Sequence, residues 1–197
     1  MAFFEALPWH EGEQAMHSKL RVPEQDNPTV PLLSPQATNM LQRAPLLAIG
    51  TVDAQNRPWT TVWGGETGFA QSLGNSIIGI RTPVAARHDP VVEILVGKEA
   101  NGAVVKEEGA GRMLSALSID LATRKRVKLG GRMIAGALSM RKNDEDVQSA
   151  QQSEIQLAVK IEQSLGMCIL HVCRMQTYIT RELSEVLKQE RHHTCEH

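Results

Sequence analysis

The chain has 197 residues, which is enough to bury a substantial core but short for two full domains. Its 21 basic and 22 acidic residues nearly cancel, so no overall field attracts nucleic acid or an anionic membrane surface. No apolar run approaches the roughly 20 residues that a membrane span needs, and the first residues lack the basic segment of a signal peptide. We therefore expect one cytoplasmic domain without a nucleic-acid or membrane partner.

Residues 1–44 are predicted to form an N-terminal arm with short helices. Five of the nine prolines lie in or directly after the first 34 residues, so one short helix around His10–Leu20 is expected there. Ser34 followed by Pro35 is typical of a helix start, and helical spacing of apolar residues continues as far as Arg43. A second short helix therefore leads into the next segment.

The segment from Pro45 to Trp63 has the pattern of a β-hairpin. Leu46–Val52 is an apolar run of strand length, and residues 53–58 have the composition of a turn. Trp59–Trp63 is rich in β-branched and aromatic residues, which favour strands. We expect two antiparallel strands joined by a tight connection.

The next stretch combines a loop, a strand and a helix. Residues 64–74 contain four glycines and are predicted to form a loop, and Ser76–Arg81 is predicted to be a third strand that ends at Thr82-Pro83. Asp89 followed by Pro90 indicates a helix over residues 89–97, because Asp caps free amides and Pro suits the first turn. Lys98–Gly111 is charged and is expected to be an exposed connecting segment.

Three more strands are predicted towards the C-terminus. They are Arg112–Asp120, Arg124–Leu138 and a strictly alternating segment over Ile155–Glu162, while residues 143–152 are polar and compatible with a helix. Six strands at hairpin spacing favour a mainly β fold, a six-stranded antiparallel barrel over residues 45–165. A doubly wound sheet would need a helix after each strand.

Residues 166–197 are predicted to be a separate tail. All three cysteines lie here, and an odd count does not suggest a disulfide framework for the body of the protein. Cys168, His171 and Cys173 could be metal ligands, but their spacing matches no standard structural zinc site, so no metal is predicted. Thr180–Arg191 has the pattern of an amphipathic helix, and a metal-linked tail serving as an interaction module is an alternative.

Three segments, Leu46–Trp63, Ile77–Leu95 and Arg124–Gly136, taken in this order and spacing, resemble the pyridoxamine 5'-phosphate oxidase-like flavoproteins. The arm residues Trp9–Met16 look like a feature of fungal and bacterial proteins of this type. The resemblance covers about residues 9–165. It implies an FMN-binding split barrel and a homodimer with FMN at the subunit interface.

The resemblance also implies a set of cofactor-binding residues. Hydroxyl groups suit phosphate oxygens and an indole suits a flat ring, so the second hairpin strand is expected to line the flavin. Arg87 precedes the predicted helix start, where free amides favour an anion. The expected FMN-binding residues are Thr60, Thr61, Trp63, Arg81, Thr82, Arg87 and, from the partner subunit, Arg126.

Each of these residues also has an ordinary structural interpretation. The threonines are common in strands for their β-propensity alone, Trp63 suits a core, and arginines on strands often form a solvated face. His88 is a residue type for acid–base chemistry, but a lone histidine beside a helix cap is usually structural. No catalytic triad or P-loop pattern is present, so nucleophilic and nucleotide-hydrolysing functions are disfavoured.

The sequence thus favours an FMN-dependent oxidoreductase. Its flavin would take a hydride from NAD(P)H or an organic donor and pass electrons to oxygen or another acceptor. The alternative is a non-catalytic flavin- or haem-binding split-barrel protein, because Met167–His171 departs from the segment that such flavoproteins carry there.

Overall fold

A computed structural model of the chain describes residues 6–109, 111–120, 123–140 and 153–167. The chain divides into two units, Met1–Gly166 and Met167–His197. The predictions for residues 143–152 and for the tail beyond Met167 lie outside the described residues. The helices are α1 (Glu11–Leu20), α2 (Pro35–Arg43) and α3 (Pro90–Val96), and the strands are β1 (Leu46–Val52), β2 (Pro58–Gly64), β3 (Ala70–Gly74), β4 (Ile77–Val84), β5 (Asn101–Lys106), β6 (Arg112–Asp120), β7 (Lys125–Met140) and β8 (Ser153–Met167).

The predicted helix starts are confirmed by their caps. Ser34 accepts a hydrogen bond from the Ala37 amide at the start of α2, and Asp89 accepts from Val91 and Val92 at the start of α3. Each of these two helices buries its apolar face, whereas α1 buries no residue at all. Only α2 and α3 therefore belong to the core.

The mainly β prediction is confirmed, with eight described strands in one antiparallel sheet instead of six. Their order is β2-β1-β6-β7-β8-β4-β3, and β5 pairs with β7 outside this path. The two unpredicted strands, β3 and β5, contain glycine and few strand-favouring residues. They owe their form to pairing with β4 and with the distant end of β7.

The strand predicted to end at Thr82-Pro83 continues to Val84, and the pairing pattern explains why. Ile161 donates its amide to the Ser76 carbonyl, which sets the alternation of β4 against β8. Every second residue from Ser76 onwards therefore directs its backbone groups towards β8, and Pro83 is not one of them. The backbone nitrogen of Pro83 points to the other side of β4, where β3 has already ended. A proline is tolerated there because no ladder hydrogen bond is lost.

The sheet curls so that its two ends meet. The Thr82 hydroxyl on β4 donates to the Gly64 carbonyl at the end of β2, although these strands lie far apart in the strand order. One face of the sheet thereby encloses a core that α3 helps to fill. Its largest fully buried side chains include Leu47, Ile49, Ile78, Ile80, Val91, Leu95, Leu114, Met133, Ile155 and Ile161.

The N-terminal arm is tied to β8 through Ser164. Val30 and Ser164 form an isolated antiparallel bridge. The buried Ser164 hydroxyl donates to the Leu32 carbonyl at 2.7 Å and accepts from the Ser34 amide at 3.1 Å. This contact fixes the chain immediately before α2.

Candidate functional site

The outer edge of β2 is free of strand partners among the described residues. Because the Gly65 amide donates to the Pro45 carbonyl, every second residue back along β2 directs its backbone groups towards β1. The residues between them, Thr60 and Val62, direct their N–H and C=O groups away from the sheet. β2 thus presents alternating donors and acceptors along an open edge.

A cleft of about 360 Å³ follows this open edge, and we call it the edge cleft. One wall is β2 and the other is the connection between β4 and α3. Its volume falls within the roughly 300–1,000 Å³ of typical small-molecule sites. The edge cleft is lined by Thr60, Thr61, Val62, Trp63, Gly64, Pro83, Val84, Ala85, His88, Asp89 and Pro90.

Asp89 joins the two walls of the edge cleft. Its Oδ2 accepts from the Thr61 hydroxyl and from the Trp63 indole N–H, each at 2.9 Å. Its Oδ1 accepts from the amides of Val91, at 2.9 Å, and Val92, at 3.4 Å. One carboxylate therefore fixes β2 against the start of α3.

The same contacts occupy the position where an anion was expected at the helix start. The free amides of α3 already bind the Asp89 carboxylate, so they do not remain for a phosphate. Arg87 lies in the same connection and is exposed, and no described residue forms an ion pair with it. Its guanidinium is the cation nearest in sequence to the cleft lining.

Arg81 and Thr82 do not join this site. Strand alternation turns Arg81 to the outer face of β4, where its Nε lies 2.8 Å from Glu154 Oε1 on β8. Thr82 is fully buried and uses its hydroxyl to hold Gly64. The structure thus places Thr60, Thr61 and Trp63 along the edge cleft, and Arg87 next in sequence to its lining residue His88. Arg81 and Thr82 do not line the edge cleft.

Arg126 lies on a different surface. It is exposed on β7, where its register partner on β6 is Ile119. Two residues further along the same face, Lys128 lines a broad groove of about 550 Å³ formed by β1, β2, β6, β7 and β8, to which Thr60 also contributes. Within the described residues, Arg126 does not line the edge cleft.

Sequence reasoning identified Asp89 as a helix cap but not as the centre of the site. Its hydrogen bonds to Thr61 and Trp63 join residues that are 28 and 26 positions apart, so a local sequence pattern cannot predict them. Val62 was not predicted as a site residue, because it presents its backbone N–H and C=O groups to the edge cleft and not a polar side chain. The phase of the β1–β2 pairing, which decides which backbone groups face outwards, is not readable from composition.

The turn before β2 is held by a second carboxylate, Asp53. Its Oδ1 accepts from the amides of Gln55 and Arg57, and its Oδ2 accepts from Arg57 Nε at 2.7 Å and from Trp59 Nε1 at 3.0 Å. Loss of solvation raises the pKa of Asp53, but these hydrogen bonds lower it by more, so it lies well below its usual range. Asp53 is therefore ionised at neutral pH.

Replacing Asp53 with asparagine is expected to lower stability in a pH-dependent way. Because the folded-state pKa is depressed, the carboxylate stabilises the fold above its unfolded pKa and loses this effect as pH falls through the folded value. Urea unfolding should show a constant deficit for D53N from about pH 8 to pH 5 and a shrinking deficit below about pH 4. A deficit that does not change down to acidic pH would contradict this assignment.

No described helix is both long and apolar enough to cross a bilayer. In the same part of the chain, no group of three or more His, Cys, Asp and Glu side chains is arranged to hold a metal ion. The cysteine and histidine residues of the tail lie outside the described residues.

Fold and site together define a mainly β, antiparallel domain with a ligand-sized cleft along an open strand edge. Similar solved structures include a putative pyridoxamine 5'-phosphate oxidase from Lactobacillus delbrueckii, with 13% identity, a TM-score of 0.40 and coverage of 69% of this chain and 95% of that one. An F420 reductase has 8% identity, a TM-score of 0.37 and coverage of 62% and 90%. The haem storage protein HutZ from Vibrio cholerae has 17% identity, a TM-score of 0.34 and coverage of 68% and 95%.

No protein-family model matches the chain, and no curated protein matches its sequence. The similar structures include a protein of the class that the sequence resembles.

Proposed function

We propose that this protein is an FMN-dependent oxidoreductase that binds its cofactor in the edge cleft. The observation that carries the proposal is the open edge of β2, where the backbone groups of Thr60 and Val62 face a cleft of about 360 Å³. The pyrimidine end of a flavin presents alternating hydrogen-bond acceptors and a donor. A strand edge offers the complementary alternation.

The residues of the edge cleft fit the remaining parts of the cofactor. The exposed Arg87 guanidinium, next in sequence to the lining residue His88, would hold the phosphate, since it is a charged donor suited to phosphate oxygens. Asp89 would keep the cleft walls at a fixed separation through Thr61 and Trp63. When bound, the flavin supplies hydride and electron transfer from NAD(P)H or an organic donor to oxygen or another acceptor.

We also propose a homodimer in which the partner subunit's Arg126 reaches the cofactor. The support is that Arg126 and Lys128 lie exposed on the outer face of β7, next to the broad groove. The described part of a single chain leaves the edge cleft open to solvent on one side. A second copy would exclude water from that side.

A haem-binding protein is the second candidate, and His88 is the observation that favours it. Its side chain lines the edge cleft and is exposed, and imidazole is a common axial ligand of haem iron. In this alternative the protein binds its cofactor without turnover.

Absorption spectra of the purified protein separate these proposals. Flavin bands, with FMN released on denaturation, support the first, whereas a Soret band that H88A abolishes supports the second. Oxidation of NADH or NADPH by the flavin-loaded protein would establish the enzyme. A colourless protein that takes up neither added FMN nor haem would contradict both.

Replacing Arg87 with alanine should weaken FMN binding by about tenfold, because a charge-assisted hydrogen bond to the phosphate is lost. Lys128→Ala is the matched control, since it removes one exposed cation that lines the broad groove instead of the edge cleft. Fluorescence titration of FMN measures both affinities. Equal losses in the two variants would place the phosphate elsewhere.

A further inference from the structure

A second cleft, of about 680 Å³, lies between the β1–β2 turn and α3. We call it the turn–helix cleft. It meets the edge cleft at Pro90, which lines both. The side chains that matter for its chemistry are Asp53, Arg57, Trp59, Glu93, Ile94 and Arg112.

Trp59 gives this cleft a fixed aromatic surface. The side chain is 39% exposed, unusual for so large an apolar group, and its Nε1 is held 3.0 Å from Asp53 Oδ2. Asp53 is in turn held by Arg57. The indole therefore offers its ring to a ligand with little loss of side-chain entropy.

Both carboxylates that line the cleft, those of Asp53 and Glu93, already have partners. Asp53 accepts four hydrogen bonds, two on each carboxylate oxygen, from the residues of its own turn. Glu93, at the rim, lies 3.0 Å from the ammonium of Lys98. A ligand that mainly donates hydrogen bonds would find few free acceptors here.

The donors of the cleft are only partly engaged. Arg57 uses Nε on Asp53 and Nη2 on Gln55. Arg112 uses Nε on Glu107 and Nη1 on the carbonyls of Ile94 and Leu95, in the last turn of α3. No described residue accepts a hydrogen bond from Nη1 of Arg57 or Nη2 of Arg112. Two guanidinium groups therefore keep unused donors in this cleft.

We propose that the turn–helix cleft is a second binding site, which takes a small planar aromatic molecule carrying a phosphate or carboxylate group. The ring stacks on Trp59, and the anionic group accepts from Arg57 and Arg112. The two arginines face two carboxylates in the lining, so recognition rests on these free donors and not on net charge. This inference does not depend on FMN binding in the edge cleft.

The three tryptophan indole N–H signals of the ¹⁵N-labelled full chain provide the test, once assigned with single Trp→Phe variants. Adenosine monophosphate is the probe for an aromatic ligand with a phosphate group, and 2-naphthoate is the probe for one with a carboxylate group. We expect at least one of them to shift the Trp59 signal and leave that of Trp9 in place. If adenosine monophosphate binds, two controls follow. Adenosine lacks the anionic group and inorganic phosphate lacks the ring, so each should bind at least about tenfold more weakly than the nucleotide.

Arg57→Gln and Arg112→Gln should each lower the affinity for the active probe about tenfold. Arg43→Gln, which changes an exposed side chain at the end of α2, should leave the affinity unchanged. If R112Q disturbs the fold, the ¹⁵N spectrum of the variant will show it. The affinity of R57Q, whose substitution lies on the exposed turn, then decides the question alone. The proposal is overturned if neither probe moves the Trp59 signal at about 5 mM, a concentration above the Kd of even a weak site, or if both glutamine variants retain full affinity. Failure of the FMN proposal would instead leave the Trp63 signal unmoved by FMN.

Discussion

Replacing Asp89 with alanine is expected to lower the free energy of unfolding by about 3 kcal/mol, from the lost helix cap and the donors left unpaired. Asp89 accepts from the α3 amides and from Thr61 and Trp63. Trp63 is only 3% exposed, so its indole N–H would lose its partner at a largely buried position. Urea denaturation measures the change.

Two further variants separate the contributions of Asp89. Asp89→Ser should retain most of the helix cap and lose the contacts to β2, so its effect should lie between wild type and D89A. Trp63→Phe removes the indole donor, and D89A should therefore cost less in the W63F background than in the wild type. Strictly additive effects would show that the Asp89–Trp63 hydrogen bond contributes nothing.

Replacing Gly131 with alanine is expected to destabilise the protein by about 3 kcal/mol, the upper part of the range for overpacking. A Cβ atom at this position would collide with the backbone oxygen of Lys160 and lie 3.0 Å from the Cα of Ile161. Backbone atoms of β8 cannot rotate away as a side chain can. Accommodation would require β7 and β8 to separate, and thermal or urea unfolding would detect this.

The neighbouring glycine supplies the control. A Cβ atom on Gly130 would meet only the Gln163 side chain, at 3.7 Å, which is ordinary contact. Gly130→Ala should therefore change the unfolding free energy by less than about 0.5 kcal/mol, as is usual for surface positions. Comparable losses in G130A and G131A would contradict the proposed close approach of β7 and β8.

Much of the fold follows from local chemistry. The caps Ser34 and Asp89 and the alternation in β8 were sufficient to place α2, α3 and that strand. The hairpin of β1 and β2 was equally visible. By contrast, β3 and β5 have weak intrinsic strand preference and depend on partners elsewhere in the chain, which a local pattern cannot supply.

The candidate site was predictable only in part. Thr60, Thr61 and Trp63 were expected to act together, and the structure places all three along the edge cleft. Arg81 was expected there too, but the alternation of β4 turns it outwards to Glu154, which is 73 residues away in sequence. Such a pairing depends on the register of β4 and β8 and not on the residues around Arg81.

The most direct test of the central claim is a titration of FMN into ¹⁵N-labelled protein. If the cofactor lies along the open edge of β2, the backbone amide signals of Thr60 and Val62 and the indole signal of Trp63 should shift most. They should saturate with the affinity measured by flavin fluorescence. Binding of FMN that leaves these three signals unmoved, or no binding at all, would contradict the account.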